Sequence, residues 1–161
     1  MMGFLVENAK IISAAVPIDT NGAAVSGDWV HMKHYRRCCI VIQQGAWAAG
    51  TPAVTLAQGK TSSGGSEKAL ALARYWTYTA LTDDDPALTA VVSDTFNLPN
   101  TANTTTVIEV HVNDLDIANG FFWLQIEVAS PGASADLICC TYILYDAAHA
   151  MKADDAPTAI A

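Results

Sequence analysis

The sequence predicts an all-β protein: an antiparallel β-sandwich of about eight strands, jelly-roll-like, with an extended N-terminal arm. Three observations favour this fold: short runs with strand character, turn-forming residues between the runs, and no segment suited to a long helical crossover. At 161 residues the chain fits a single core. We therefore expect an arm over residues 1–27, a β-sandwich domain over residues 28–146 and a C-terminal tail over residues 147–161.

The arm is rich in apolar residues but follows neither the helical nor the strand period. Pro17 and the pair Asn21-Gly22 interrupt it. We expect this segment to lie extended and to dock on a partner surface outside the sandwich core. The alternative is that it supplies a strand to its own sandwich. Its interface candidates are Phe4, Leu5, Ile11, Ile12, Val16 and Ile18.

Eight runs with strand character follow the arm, at residues 29–35, 37–44, 53–56, 74–81, 91–98, 106–112, 121–128 and 136–145. The alternation is clearest in the seventh run, where Leu124 and Ile126 share one face and Glu127 lies on the other, so one face is expected to be core. The eighth run is apolar on both faces. It is either central in the sandwich or covered by a second subunit.

Little helix is expected. One short helix is predicted at residues 67–72 and one turn at residues 113–117, where Asn113 could cap the turn and Asp114 and Asp116 would favour its start. Turn-forming residues separate the strands at residues 45–52, 58–66, 83–86, 98–100, 119–120 and 130–132.

The composition favours self-association. Hydrophobic residues make up 52% of the chain and charged residues 15%, and the mean hydropathy is +0.25, so some apolar surface is expected to be covered in an assembly. We predict a homo-oligomer, for which a trimer is one option. The net charge of −8 argues against nucleic-acid binding.

No membrane segment or secretory signal is predicted. The longest uncharged stretch, residues 38–59, contains glutamines, glycines and a proline and is too polar to span a bilayer. The first ten residues lack a basic start, and Glu7 interrupts their apolar run. The protein is therefore expected to be made in a cytoplasm.

The four cysteines form two adjacent pairs, Cys38-Cys39 and Cys139-Cys140. Neighbours on a strand point to opposite faces, so neither pair presents two thiolates to one metal. Reduced structural thiols are the prediction for a cytoplasmic protein. A disulfide between the pairs stays open as the alternative if their strands are neighbours.

No enzyme, cofactor or metal site is predicted. Gly59-Lys60-Thr61 resembles the end of a phosphate-binding loop, but Val54 stands where that motif needs a glycine, and a flexible loop explains residues 59–66. No GxSxG elbow pairs a nucleophile with a base. Glu109 and Glu127 could flank a sugar only if the fold brought them together.

Two further groups of potential metal ligands are not expected to bind an ion. His31 and His34, three apart on a strand, are expected to face opposite ways and not to share an ion. The acidic run at residues 83–85 lacks the spaced oxygen ligands of a calcium loop.

The tryptophans Trp29, Trp47, Trp76 and Trp123 can be core residues, protein anchors or sugar-stacking residues. Trp47 lies among small residues at positions 45–50, where burial within the monomer is least expected, so it is the best single interface candidate. Trp123 is a second. A carbohydrate-binding β-sandwich module is therefore the alternative from another class.

Several short motifs carry a resemblance: Gly27-Asp28-Trp29-Val30, Cys39-Ile40-Val41, Gly45-Ala46, Val107-Ile108-Glu109-Val110, Asp114-Leu115-Asp116, Asn119-Gly120-Phe121 and Tyr142-Ile143-Leu144. Their order and spacing over about residues 27–145 resemble those of small structural proteins of tailed bacteriophages and prophages. The resemblance implies a virion protein without catalytic residues.

Within that resemblance the expected role is a head decoration or minor capsid protein. It would bind the lattice of the major capsid protein, stabilise the head and lie on the head surface after assembly in the host bacterial cytoplasm. A tail or head–tail connector component is the runner-up.

Overall fold

The computed structural model describes residues 5–79, 85–91, 93–132 and 135–148. Two six-stranded sheets pack face to face as a β-sandwich, and every strand pairing is antiparallel. The predicted all-β sandwich is confirmed, but the described residues form twelve strands where about eight were expected. Most of the expected C-terminal tail and the interface candidate Phe4 lie outside the described residues.

Sheet A has the strand order β1-β12-β4-β10-β7-β8. Its strands are β1 (Lys10–Asp19), β12 (Asp136–Ala147), β4 (Tyr35–Trp47), β10 (Thr104–His111), β7 (Arg74–Thr79) and β8 (Ala87–Ala90). The long strands β12 and β4 pair over most of their length, from Asp136 opposite Trp47 to Ala147 opposite Tyr35. Both are interior strands of sheet A, flanked by β1 and β10, which agrees with the apolar pattern of residues 136–145.

Sheet B has the order β2-β11-β5-β6, with β3 also pairing with β11 and β9 with β5. Its strands are β2 (Val25–Ser26), β11 (Trp123–Val128), β5 (Ala53–Gly59), β6 (Lys68–Leu70), β3 (Val30–His31) and β9 (Thr95–Asn97). Helical structure in the described ranges consists of α1 (Leu5–Asn8) and two 3-10 turns, Val112–Asp114 and Ile117–Asn119.

The core lies between the sheets. On β11 the side chains of Leu124, Ile126 and Val128 are buried, which confirms the predicted alternation. From sheet A, the alternate residues of β12 face them, and Tyr142 reaches far enough that its hydroxyl accepts a hydrogen bond from the backbone N–H of Ile126 at 2.8 Å. The two sheets are thus joined by packing and by a polar contact.

The N-terminal segment is not an arm outside the core. Strand β1 pairs with β12 from Lys10 opposite Leu144 to Asp19 opposite Leu137, and its Ala14 is 4% exposed. The expectation of an extended docking arm is wrong for residues 10–26, and the alternative of a strand supplied to its own sandwich is correct. Register shifts on both sides of Ala15 break the period of two that would have identified the strand.

Within residues 67–72, where a helix was predicted, Lys68–Leu70 form strand β6 and no helix is present. Leu70 is 2% exposed and lies opposite Leu56 of β5, so pairing and burial in sheet B outweigh the local helical pattern. The turn predicted at residues 113–117 is present as 3-10 structure, but its cap is His111, whose Nδ1 accepts from the N–H of Asn113.

The glycine-rich loop at residues 59–66 packs against a core tryptophan. A Cβ at Gly64 would lie 2.7 Å from Cζ2 of Trp29, and one at Gly59 would lie 3.0 Å from its Cζ3. Trp29 is 7% exposed. The loop's glycines therefore allow close contact with this ring, which the interpretation as a flexible loop did not include.

Candidate interaction surfaces

Large apolar side chains are exposed mainly along one edge of sheet A. The described residues contain seven: Leu5, Ile11, Val16, Ile18, Leu88, Ile117 and Leu137. The first four belong to α1 or β1, and Leu137 lies opposite Asp19 at the end of β1. We call these five residues, Leu5, Ile11, Val16, Ile18 and Leu137, the β1 edge surface. Such clustering is typical of interaction sites, whereas scattered apolar residues are not.

Four of the predicted interface residues, Leu5, Ile11, Val16 and Ile18, are exposed on α1 or along β1. Ile12, on the same strand, is half-buried and packs against the core. Sequence reasoning missed Leu137 as a member of the surface, although the apolar character of both faces of residues 136–145 was a signal for it.

The two tryptophan candidates lie away from that edge. Trp47 ends β4, is half-buried against the core, and donates a hydrogen bond from Nε1 to the carbonyl of Gly50 at 3.1 Å. Trp123 is half-buried on β11 of sheet B, with its ring centroid 4.7 Å from that of His31. Neither tryptophan is fully exposed. For Trp47 this differs from the expectation that rested on the small residues at positions 45–50.

A groove of about 440 Å³ runs between β1 and β2, where the edges of the two sheets meet. Val16, Ile18 and Val25 line it, and the N–H of Asp28 donates to the carbonyl of Ala14 at 2.8 Å. The β1 edge surface is therefore continuous with an open apolar groove, and part of the strand's backbone is already capped by its own chain.

The outward face of sheet A carries a row of apolar residues beside its charged groups. Across its strands the register aligns Leu88, Trp76, Val107, Val41 and Thr141 in one row. An antiparallel sheet with one solvated face normally carries polar residues there. This face differs from that pattern, because an apolar row crosses it from β8 to β4 and ends beside Thr141 of β12.

Charged groups on this face gather around Glu109. Tyr145 donates its hydroxyl to Oε1 of Glu109, and Nη1 of Arg37 lies 3.7 Å from Oε2. Burial, together with the hydrogen bond to Glu109, raises the pKa of Tyr145 to about 12. The hydrogen bond with Tyr145 raises the pKa of Arg37. The carboxylate thus holds both neighbours in defined positions.

The two glutamates considered as a catalytic pair lie on opposite outer faces. Glu109 faces outward from β10 of sheet A, and Glu127 lies on β11 of sheet B, opposite Thr55 and Ser26. Because the core separates the two sheets, these carboxylates cannot flank one glycosidic bond.

The histidine pair is closer than its spacing suggested. A turn from Met32 to Tyr35 brings the ring centroids of His31 and His34 to 6.0 Å, so the expectation that they face opposite ways is wrong. Burial lowers the pKa of His31, and His34 and Lys33 lower it further. No group of three or more potential metal ligands was found in the part of the chain that the structure describes. Asp83 and Asp84 lie outside it.

All four cysteines are free. Cys38 lies opposite Leu144 and Cys140 opposite Ile42, so the two pairs are offset by four residues, or about 13 Å along neighbouring strands. A disulfide needs Cα atoms within about 7 Å, which excludes the bridge left open above. Burial raises the pKa of Cys140 to about 12 and that of Cys39 to about 11, so neither is an activated nucleophile.

No family model matches the sequence. No curated protein matches it either. The chain is similar in structure to the SPBc2 prophage-derived protein YomS, with a TM-score of 0.48 and 12% identity over 89% of this chain and 96% of that one.

A second solved structure, of infectious bursal virus derived T=1 particles, has a TM-score of 0.20 and 10% identity over 94% of this chain and 42% of that one. At these scores and identities, neither similarity defines a role for the chain.

No helix in the described ranges is long and apolar enough to cross a membrane.

Proposed function

We propose that this chain is a structural virion protein that decorates the phage head and binds the lattice of the major capsid protein through its β1 edge surface. The observation that carries the proposal is the concentration of exposed apolar residues along β1, with Val16 64% and Ile18 45% exposed. The sequence resemblance to phage and prophage structural proteins is the reason for proposing a phage head as the assembly to which the chain binds.

The physical argument rests on the cost of leaving this edge uncovered. Burying apolar surface is favourable by about 25 cal/mol per Å². A neighbour that covers the β1 edge surface and its groove therefore lowers the free energy of the assembly. Edge strands of monomeric proteins usually carry charges that discourage contact. Between Ile11 and Ile18 this strand has no charged residue, so it is suited to contact.

Self-association is part of the same proposal. A homo-oligomer, with a trimer as one option, would cover further apolar surface and match a capsid symmetry position. Sedimentation velocity at micromolar concentration tests this directly. A 17 kDa species alone would contradict self-association before capsid binding.

Capsid attachment is tested by co-sedimentation of purified protein with head particles of the phage that encodes it. Val16→Lys and Ile18→Glu should each weaken attachment, because both place a charge in the proposed contact. Ile117→Lys is the matched control: it replaces an exposed apolar residue on a 3-10 turn outside this surface. Equal binding by all variants would contradict the proposal.

The runner-up role, in the tail or the head–tail connector, predicts a different location. Gold-labelled protein seen by electron microscopy on the head surface supports decoration, whereas label restricted to the tail or neck supports the alternative. The same variants then report on the same contact surface.

A further inference from the structure

We propose that the outward face of sheet A carries a binding groove for a short neutral oligosaccharide, centred on Trp76. This goes beyond capsid attachment, since the groove lies on β7 and β10 and the β1 edge surface is at one edge of the sheet. A decoration protein with such a groove would also contact glycans.

The position of Trp76 in the register places its ring outward. It lies opposite Val107 of β10 on one side and Leu88 of β8 on the other, and both belong to the apolar row of the outward face. Trp76 is half-buried, so the ring is supported by its neighbours while part of it stays accessible. A fixed, partly exposed indole is suited to stack on the apolar face of a sugar ring.

Two grooves lie beside Trp76. One, of about 370 Å³, is lined by Arg37, Arg74, Trp76, Glu109, His111 and Asp114, among others. The other, of about 350 Å³, is lined by Trp76, Tyr78, Pro86, Val107 and Glu109. Because Trp76 and Glu109 line both, the grooves adjoin each other. Their volumes are in the lower range for small-molecule sites, which fits an oligosaccharide of two or three sugars.

The first groove offers both hydrogen-bond donors and acceptors. The guanidinium groups of Arg37 and Arg74 donate, and the carboxylates of Glu109 and Asp114 accept, which matches sugar hydroxyls that do both. Arg37 and Glu109 are already held together, and Tyr145 fixes the second oxygen of Glu109. This prior ordering lowers the entropy cost of binding.

Charge favours a neutral ligand. Two arginines and two carboxylates line the first groove, so their formal charges cancel. The chain as a whole carries a net charge of −8, which repels an acidic glycan before contact. Neutral sugars avoid that penalty and can still form hydrogen bonds with the polar side chains of the lining.

The test is a titration of the full chain by calorimetry, with tryptophan fluorescence as a second signal. The neutral probes are maltotriose, cellotriose, mannotriose and triacetylchitotriose, and the acidic probe is 3′-sialyllactose. We expect saturable binding of at least one neutral probe at millimolar concentration and weaker binding of the acidic one. No saturable binding of any neutral probe, or a preference for the acidic probe, overturns the proposal.

Three variants locate the site. Trp76→Leu should weaken binding about tenfold because the stacking surface is lost, and Arg74→Gln should weaken it several-fold. Trp123→Leu, which removes a half-buried tryptophan from sheet B, is the matched control and should leave affinity unchanged. Circular dichroism confirms that each variant is folded.

Equal loss of affinity in Trp76→Leu and Trp123→Leu places binding elsewhere and refutes the site. Capsid co-sedimentation of Trp76→Leu separates this inference from the proposed function, because that variant should still attach to heads. The two proposals can therefore fail independently.

Discussion

Tyr142 and Ile126 are joined by a hydrogen bond across the sandwich interior, in which the hydroxyl of Tyr142 on β12 accepts from the backbone N–H of Ile126 on β11 at 2.8 Å. Both side chains are buried, at 0% and 1% exposure. The carbonyl of Ile126 accepts in turn from the N–H of Gly27 at 2.8 Å. The backbone of Ile126 in sheet B is thereby hydrogen-bonded both to sheet A and to the segment that precedes β3.

Replacing Tyr142 by phenylalanine should lower the free energy of unfolding by about 1–3 kcal/mol, because the buried N–H of Ile126 loses its partner. Urea denaturation measures the change. Tyr78→Phe is the control, since Tyr78 is half-buried on β7 and its hydroxyl should contribute little. Similar losses in the two variants would contradict a special role for the bond.

Stability should fall in alkaline solution. Burial raises the pKa of Tyr142 well above its ordinary value of about 10, so above that pH the unfolded chain releases a proton that the folded chain keeps. The contribution is complete below about pH 10 and is lost as pH rises further. Urea midpoints measured from pH 8 to pH 11 should fall more steeply for the natural chain than for Tyr142→Phe. Parallel curves would refute this.

Part of the fold could be predicted because its signals are local. The alternation in β11, with Leu124 and Ile126 inward, follows from a regular strand with one buried face. Strand β1 gives no such signal, since register shifts beside Ala15 change which residues face inward. Lys68–Leu70 is a strand because it pairs with β5, and the residues around it give no local signal for that pairing.

The candidate surfaces were predictable to a similar degree. The apolar residues of the first 18 positions were identified, and Leu5, Ile11, Val16 and Ile18 are exposed. Their arrangement on a strand edge depends on pairing with β12, which sequence alone does not specify. The cluster of Arg37, Glu109 and Tyr145 comes from three different strands, so it has no sequence signature.

Gly64→Ala should destabilise the protein more than Gly120→Ala. Both glycines have positive φ, +76° and +86°, so each substitution carries the same backbone strain of roughly 1–2 kcal/mol. The new methyl group at Gly64 would also meet Trp29 at 2.7 Å, whereas nothing lies within 4 Å at Gly120. Thermal melts followed by tryptophan fluorescence compare the two. Equal shifts would mean that the Trp29 contact adapts without cost.

Removal of residues 1–27 should unfold or aggregate the protein. The deletion takes away β1 and β2, including the core residues Ala14 and Val25, and uncovers the edge of β12. Removal of residues 1–8 alone should leave the sandwich intact, since β1 begins at Lys10. Gel filtration and circular dichroism measure both. A folded, monomeric chain starting at Asp28 would contradict the assignment of β1 to the core.

The cysteines should differ in reactivity within each pair. Cys38 and Cys140 are buried in the core, while Cys39 and Cys139 are partly exposed on the outward face of sheet A. Maleimide labelling of the native protein, read by peptide mass spectrometry, should modify only the latter two. Reductant should leave the melting temperature unchanged, because no bridge is present. Labelling of Cys38 at a rate equal to that of Cys39 would contradict the buried assignment.

The shifts in register on either side of Ala15 have a consequence for how copies of this chain can stack. A straight apolar edge invites another strand, and that strand invites the next, until a fibre forms. Register shifts interrupt β1 and Pro17 lacks a backbone N–H to donate, so a continuous ladder cannot extend along Val16 and Ile18. A partner can therefore cover the apolar side chains of this edge, while strand-upon-strand polymerisation along it is disfavoured.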